Sequence, residues 1–231
     1  YNRDYGAFAF DGVNDYVKAT VSGFTGPLAT LSVWVYVNSI DTSRPNMIAS
    51  LGTFTTTNMI WLGIDSSQQF YTGFPTGGDV DADQAVTNQW VHLLVVITSN
   101  TLELYKNGTL SNWSSYNAFT PGSSPVLYLG TRANTSGGPE STRYLDCSIS
   151  NFKLWNVALG PGEVRQLYEM GRNGPGNYMN IVDTAVAIGR HAPQAQLDVS
   201  GKIRANGNNT NFTGQHRCSS AEGPLEKGLV V

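Results

Sequence analysis

Charge is scarce in this sequence. Charged residues make up 13% of its 231 positions, where an average soluble domain carries roughly 25%. The charges nearly cancel, with a net of -3. No basic cluster stands out, so nucleic acid is not an expected partner. Long apolar runs are missing as well. None approaches the ~20 residues of a membrane-spanning helix, and membrane insertion is not expected. Cysteine is limited to Cys147 and Cys218, too few for a disulfide framework. They read as two free thiols, with a bridge as the alternative. The three histidines, His92, His191 and His216, are scattered. His216 and Cys218 stand two apart, but no second pair completes a zinc site. Tyr1 is neither an initiator methionine nor the start of a signal peptide, so the chain is expected to be processed or a fragment. The apolar end Gly228-Leu-Val-Val231 suggests that sequence continues past it.

Catalytic motifs are equally thin. There is no Gly-x-Ser-x-Gly elbow and no phosphate-binding loop. Glu103 is the nearest candidate for an acid-base carboxylate, and it stands alone.

What the chain has is an ordered string of strand signals. FAFDGVNDYV (8–17), LSVWVYV (31–37), QWVHLLVVI (89–97), LELYKNGTL (102–110), PVLYLG (125–130) and ISNFKLWNVAL (149–159) are rich in Val, Ile, Tyr, Phe and Trp. Gly, Asn, Pro and Ser clusters separate them, the pattern of short strands in a two-sheet sandwich. Asp11-Gly12 between apolar runs predicts a hairpin, and Asn107-Gly108 predicts a type I′ turn. Residues 31–37 and 91–97 are apolar on both faces, as in strands central to a sandwich. Trp34, Trp90 and Trp155 are assigned to the core, and His92 to a structural role within its strand.

One helix is expected. Gly160-Pro161 opens it, and Val164, Leu167 and Tyr168 form one apolar face at i, i+3, i+4. Gly171 reads as its stop, which places the helix near 161–170. It is too short to stand alone and must dock on the sandwich. GRNGPGN then begins a Gly-rich linker, 171–180. Beyond it the sequence changes character. Short strands are predicted at Ala185–Ile188, Gln196–Val199 and Lys202–Arg204, too short to build a core without a partner.

Residues 1–170 resemble the laminin G-like branch of the concanavalin A-like lectin/glucanase sandwiches. The stretches that carry the resemblance are FDGVNDYV, LSVWVYV, QWVHLLVVI, LELYKNGTL, LYLG and ISNFKLWNVALGPGEVRQLYEMG. It implies an all-β, antiparallel jelly-roll of two sheets with one short C-terminal helix. Members of that fold bind glycans, proteins or calcium, and some only space other domains. Its glycosidase members use two carboxylates on one strand, and a Glu-x-Asp-x-x-Glu-like run is absent here. The segment AVAIGRHAPQAQLDVSGKIRANG, with NFTGQHRC after it (181–218), is similar to a recurrent segment of bacteriophage and large-virus fibre proteins. That similarity implies a trimeric fibre stem, with 181–231 as the oligomerisation segment.

Two sets of residues are candidates for a site. Asp79, Asp81 and Asp83 place hard-cation ligands at alternate positions of an extended loop, and calcium is the cofactor they would hold. The other reading is a solvated acidic loop. Asp11, Asn14 and Asp15 form a second oxygen-rich turn, which turn formation explains without metal. Trp61, Tyr71, Phe74 and Trp113 lie in or beside loop-like stretches and offer aromatic faces to a glycan, with core packing as the alternative. Five Asn-X-Ser/Thr sequons, at Asn107, Asn112, Asn134, Asn208 and Asn211, become glycan acceptors only in a secretory pathway.

The composition and both resemblances lead to one expectation. The chain is a non-enzymatic, lectin-like adhesion or decoration module of a virion, located on the virion surface or outside cells. It is expected to be a homotrimer whose partners are cell-surface glycan and other virion proteins. A secreted cellular carbohydrate- or protein-binding module is the alternative, and a glycoside hydrolase a third.

Overall fold

The computed structural model describes residues 6–172, apart from 25, 56–57, 76 and 117–118. Beyond them it describes the backbone of Met179–Val182, Ala185–Ile188 and Leu197–Val199. The chain divides into two units, Tyr1–Tyr178 and Met179–Val231.

The first unit contains β1 (Ala7–Asp11), β2 (Val17–Thr20), β3 (Ala29–Ser39), β4 (Asn46–Gly52), β5 (Met59–Ile64) and β6 (Gln69–Gly73). There follow β7 (Val80–Gln84), β8 (Trp90–Ile97), β9 (Thr101–Lys106), β10 (Thr109–Ser115), β11 (Val126–Leu129), β12 (Asp146–Trp155) and α1 (Pro161–Arg172). The strands make two antiparallel six-stranded sheets, in the orders β1-β12-β3-β8-β9-β10 and β2-β11-β4-β5-β6-β7. This is the two-sheet sandwich with one short helix that the strand pattern implied.

Alternation along each strand sends Leu31, Val33, Val35 and Val37 of β3 and Leu93 and Val95 of β8 into the layer between the sheets. Ile60, Leu62 and Ile64 of β5 and Phe70 of β6 meet them there. A fully buried Leu, Ile or Phe contributes roughly 1.5–3 kcal/mol. An exposed ion pair such as Arg44–Asp41 is screened by water and contributes little. The inter-sheet layer therefore holds the fold together.

The other face of β8 explains why its sequence is apolar on both sides. Leu94 and Val96, with Tyr105 of β9, pack against Val164 and Leu167 of α1. Glu163 reaches back so that the Gly160 amide donates to its carboxylate at 2.8 Å, in the manner of a capping box. The helix runs two residues past the expected end, through Arg172. Gly171 is not its stop. A Cβ at Gly171 would collide with the Trp34 indole, so the glycine serves the close approach of helix and sheet. Tyr168 stacks on Trp34 with ring centroids 5.8 Å apart.

Other expectations need correction. Asp11-Gly12 does not form a hairpin: β1 pairs with β12 in one sheet, and β2 pairs with β11 in the other. The Asp11 carboxylate accepts from the Val13 amide at 2.8 Å and the Asn14 amide at 3.3 Å. With Gly12 at φ 74°, this turns the chain out of one sheet toward the other. Strands β4 to β6 escaped the sequence pattern. Ser50, Gly63, Thr72 and Gly73 interrupt it, yet these strands are covered on both faces and need no polar side. Residues 80–84, read as an acidic loop, form the edge strand β7. Trp34, Trp90 and Trp155 are half-buried and lie outside the inter-sheet core. The Asn107-Gly108 turn is where it was expected, with φ 52° and 76°, and the Asn107 side chain accepts from the His92 amide at 3.0 Å.

The second unit contains β13 (Met179–Val182), β14 (Ala185–Ile188) and β15 (Leu197–Val199). They form one sheet, in which β13 and β14 pair antiparallel and β14 and β15 parallel. Met179 and Asn180, read as linker, belong to a strand. The strand expected at Lys202–Arg204 lies outside the described residues, as do His191, Asn208, Asn211, His216 and Cys218. Cys147 is a free, buried thiol.

Candidate functional site

Polar and aromatic side chains converge on the outer face of the second sheet. Ser50 of β4 lies opposite Trp61 of β5 and Tyr128 of β11 in the strand register, and directly opposed residues share a face. Met47, Met59, Trp61, Tyr71, Tyr128 and Ala133 pack together there, with Phe54 and Val126 at the margin. This layer is distinct from the inter-sheet core.

Residues 131–145 cover it. Asn134 shapes the turn, its side-chain oxygen accepting from the amides of Ser136 (2.9 Å) and Gly138 (3.1 Å). The Thr131 hydroxyl donates to the Glu140 carbonyl at 2.9 Å. The Tyr128 phenol donates to the Gly137 carbonyl at 3.0 Å, which draws the tip of the excursion back over the sheet. The Met47 amide donates to the Arg143 carbonyl at 3.0 Å and secures the return.

Two guanidinium groups come with this excursion. Arg132 stacks over Phe54, its Cζ 4.1 Å from the ring centroid, and lies 5.5 Å from that of Trp61. Such stacking suits a planar cation. Burial lowers the pKa of Arg132, and the like charge of Arg143 lowers it further. Arg143 donates to the Pro45 carbonyl at 3.4 Å. Neither guanidinium forms an ion pair among the described residues. Burial pushes the Tyr71 phenol above its ordinary range, and Arg132 partly offsets this.

Carboxylates gather toward β7. The Asp79 carboxyl is raised by burial, then by the charges of Asp81 and Asp65. Asp81 is raised by burial, then by Asp65. The triad of Asp79, Asp81 and Asp83 is not brought together as a ligand set. Asp83 instead meets Lys106 of the first sheet at 3.2 Å, and the Asn112 side chain donates to the Asp81 carbonyl at 2.8 Å. These bonds close the sandwich edge where β10 meets β7. Among the described residues no group of three His, Cys, Asp or Glu side chains could hold a metal ion.

The aromatic candidates separate. Trp61 and Tyr71 share the outer face, where each is nearly buried. Phe74 belongs to the inter-sheet core, against Tyr116 and Phe119. Trp113 stands on the edge strand β10, 57% exposed and away from the others. The reading of the sequence passed over Arg132, Arg143, Ser50, Phe54 and Tyr128. Their one signal was a pair of arginines in the polar stretch TRANTSGGPESTRY.

Residues 11–165 match the laminin G family model described as the concanavalin A-like lectin/glucanases superfamily. The chain belongs to that superfamily. No curated protein matches it. Among solved structures, a heptameric SAP-like pentraxin from Limulus polyphemus is 14% identical at a TM-score of 0.54, over 71% of this chain and 82% of that one. A Trypanosoma rangeli sialidase, in complex with the inhibitor DANA, is 16% identical at 0.55, over 70% of this chain and 27% of that one. The CBM40 of a Ruminococcus gnavus IT-sialidase, bound to α2,3-sialyllactose, is 14% identical at 0.50, over 67% and 98%. At these identities the likeness is one of fold.

Within this lectin/glucanase fold Glu103 has a local role. It accepts from the Tyr105 phenol at 2.8 Å and from the Thr101 hydroxyl at 3.2 Å, both on its own strand. His92 is buried, with Nε2 at 2.9 Å from the Ser32 hydroxyl. Among the described residues no helix is long and apolar enough to cross a membrane.

Proposed function

We propose that this chain is a non-catalytic, lectin-like module that recognises a saccharide on the outer face of its second sheet. The observation that carries the reading is the joint presence there of stacked Arg132, Phe54 and Trp61 and of the carboxylates Asp79 and Asp81 beyond Tyr71. Flat rings beside fixed donors and acceptors suit the alternating apolar and hydroxyl surfaces of a sugar. The engagement of Glu103 by its strand neighbours supports a role without bond cleavage. A glycan-array screen of the whole chain tests the reading. Binding to a defined set of glycans is expected, together with no release of reducing sugar from them. A blank array, or turnover of a bound glycan, would overturn it.

We further propose that the module belongs to a virion fibre or surface, mounted on a trimerising stem formed by residues 181–231. Support comes from the similarity of 181–218 to viral fibre segments and from the three short strands β13, β14 and β15. Such small sheets need a neighbour to bury them, and three chains around an axis supply one. Light scattering on the whole chain is expected to report a trimer. A monomer at high micromolar concentration would favour the secreted cellular module instead.

A further inference from the structure

Among the described residues, four buried side-chain atoms on the outer face of the second sheet have no hydrogen-bond partner: Ser50 Oγ, Trp61 Nε1, Arg132 Nε and Arg143 Nε. The great majority of buried polar atoms are paired, and an unpaired one costs stability. Four within one layer, under one excursion of the chain, are too many to be incidental. Their chemistry is also one-sided. An indole N–H and two guanidinium N–H groups can only donate, and the serine hydroxyl can donate as well. Whatever completes this cluster must be rich in acceptors. Two guanidinium charges without an ion pair among the described residues favour a negative partner. An oxyanion meets both demands, because guanidinium forks hold carboxylate and sulfate with short, charge-assisted bonds.

We infer that the cluster around Arg132, Arg143, Trp61 and Ser50 binds the oxyanion of an acidic saccharide, its carboxylate or sulfate group. The inference rests on the saccharide reading above and names its ligand class. The saccharide part follows from the surroundings. Phe54 and Trp61 stack at 6.1 Å beside the guanidinium of Arg132, and half-buried Phe54 gives a sugar an apolar contact at the margin of the cluster. Asp79 and Asp81, across Tyr71, are acceptors for sugar hydroxyls. The face is thus polarised, with donors toward β4 and β11 and acceptors toward β7. A sugar bearing one oxyanion and several hydroxyls matches that order, and a bare inorganic anion uses only one end of it. Glu140 acts electrostatically on Arg132 yet forms no ion pair with it, so the place of the anion is not taken internally. Arg143 is half-buried, and a ligand meets the cluster from its side.

The test is a titration of the whole 15N-labelled chain, reading the Trp61 indole N–H resonance, which a Trp61→Phe spectrum identifies. The probes are hyaluronan tetrasaccharide, chondroitin sulfate tetrasaccharide, neutral chitotetraose and sodium sulfate, all at constant ionic strength. The resonance is expected to shift saturably with at least one of the two acidic tetrasaccharides. Chitotetraose and sodium sulfate should bind at least about tenfold more weakly, the difference one charge-assisted contact supplies. Arg143→Gln should remove that preference and Arg143→Lys should restore part of it. Equal response to chitotetraose would overturn the oxyanion. Sodium sulfate binding as tightly as the tetrasaccharides would overturn the saccharide. No movement of any of the five indole resonances with any probe would overturn both, and that result needs no variant. Glycan-array binding that survives Arg143→Gln would sink this inference while leaving the lectin-like reading intact. A blank array with a sulfate-shifted indole would sink that reading instead.

Discussion

The two outer faces of this sandwich are both covered, but they are finished differently. On the first sheet the cover is the helix α1. There Ser32 bonds His92, the Thr30 hydroxyl donates to the Val157 carbonyl and accepts from the Leu159 amide, and Trp34 stacks on Tyr168. Among the described residues a single buried side-chain atom, His92 Nδ1, is left unpaired on that face. On the second sheet the cover is an irregular excursion, and beneath it the unpaired atoms are mostly donors. The first face is closed by packing and satisfied bonds, as a structural joint is. The second retains bonding capacity that the chain itself does not use. The two covered faces therefore differ in how far their buried polar atoms are satisfied.

The largest expected effect tests the closed face. Burial, and then the charge of Lys153, hold the pKa of His92 down at about 4, against an ordinary 6.5. The native state keeps the ring neutral while the unfolded chain protonates it. The stability this carries is fully present above pH 6.5 and is lost as pH falls from 6.5 toward 4. Each pKa unit is worth about 1.4 kcal/mol, so the loss should be about 3 kcal/mol. Urea unfolding across this range checks it, and His92→Gln should flatten the profile.

Gly171→Ala probes the same face. If helix propensity decided, alanine would stabilise by about 1 kcal/mol. The contact with Trp34 predicts the opposite sign, a loss of roughly 1–3 kcal/mol from overpacking, read by thermal or urea unfolding.

A pair of serines sets the two faces directly against each other. Ser32→Ala removes a used hydroxyl and strands His92 Nε2, at a cost of about 1–3 kcal/mol. Ser50→Ala removes a hydroxyl without a partner and should stay within about 0.5 kcal/mol or stabilise slightly. Equal losses in calorimetry would erase the distinction between the faces.

A smaller effect belongs to Asp79. Its carboxyl is raised above the ordinary 3.8, so the native state holds its proton more tightly than the unfolded chain. The resulting destabilisation is absent below pH 3.8 and grows as pH rises through the raised value. Asp79→Asn should therefore stabilise at pH 7, by less than ~1 kcal/mol given its solvent contact, and have no effect at low pH. Smallest of all is calcium. With Asp83 engaged by Lys106, calcium should leave the melting temperature unchanged, since a ligand stabilises only in proportion to its binding.

The sequence by itself determined the sandwich, the Asn107-Gly108 hairpin and the docked helix. Each rests on local signals: apolar alternation, a turn that requires positive φ, and a 3.6-residue apolar stripe on 161–170. Strands β4 to β6 were hidden because both of their faces are covered, which removes the alternation that marks a strand; β7 was hidden because its alternation is carried by aspartates, which read as an acidic loop. Only the tertiary structure decided which aromatics serve the core and which the outer face. The sequence put Trp34 in the core and Trp61 and Phe74 at a site, whereas sheet order and register put Phe74 in the core and Trp34 and Trp61 outside it. It also brought Arg132 and Arg143, eleven positions apart in a polar stretch, together over Ser50 and Trp61. A donor's lack of a partner is a property of its surroundings, and those surroundings are assembled from strands distant in the chain.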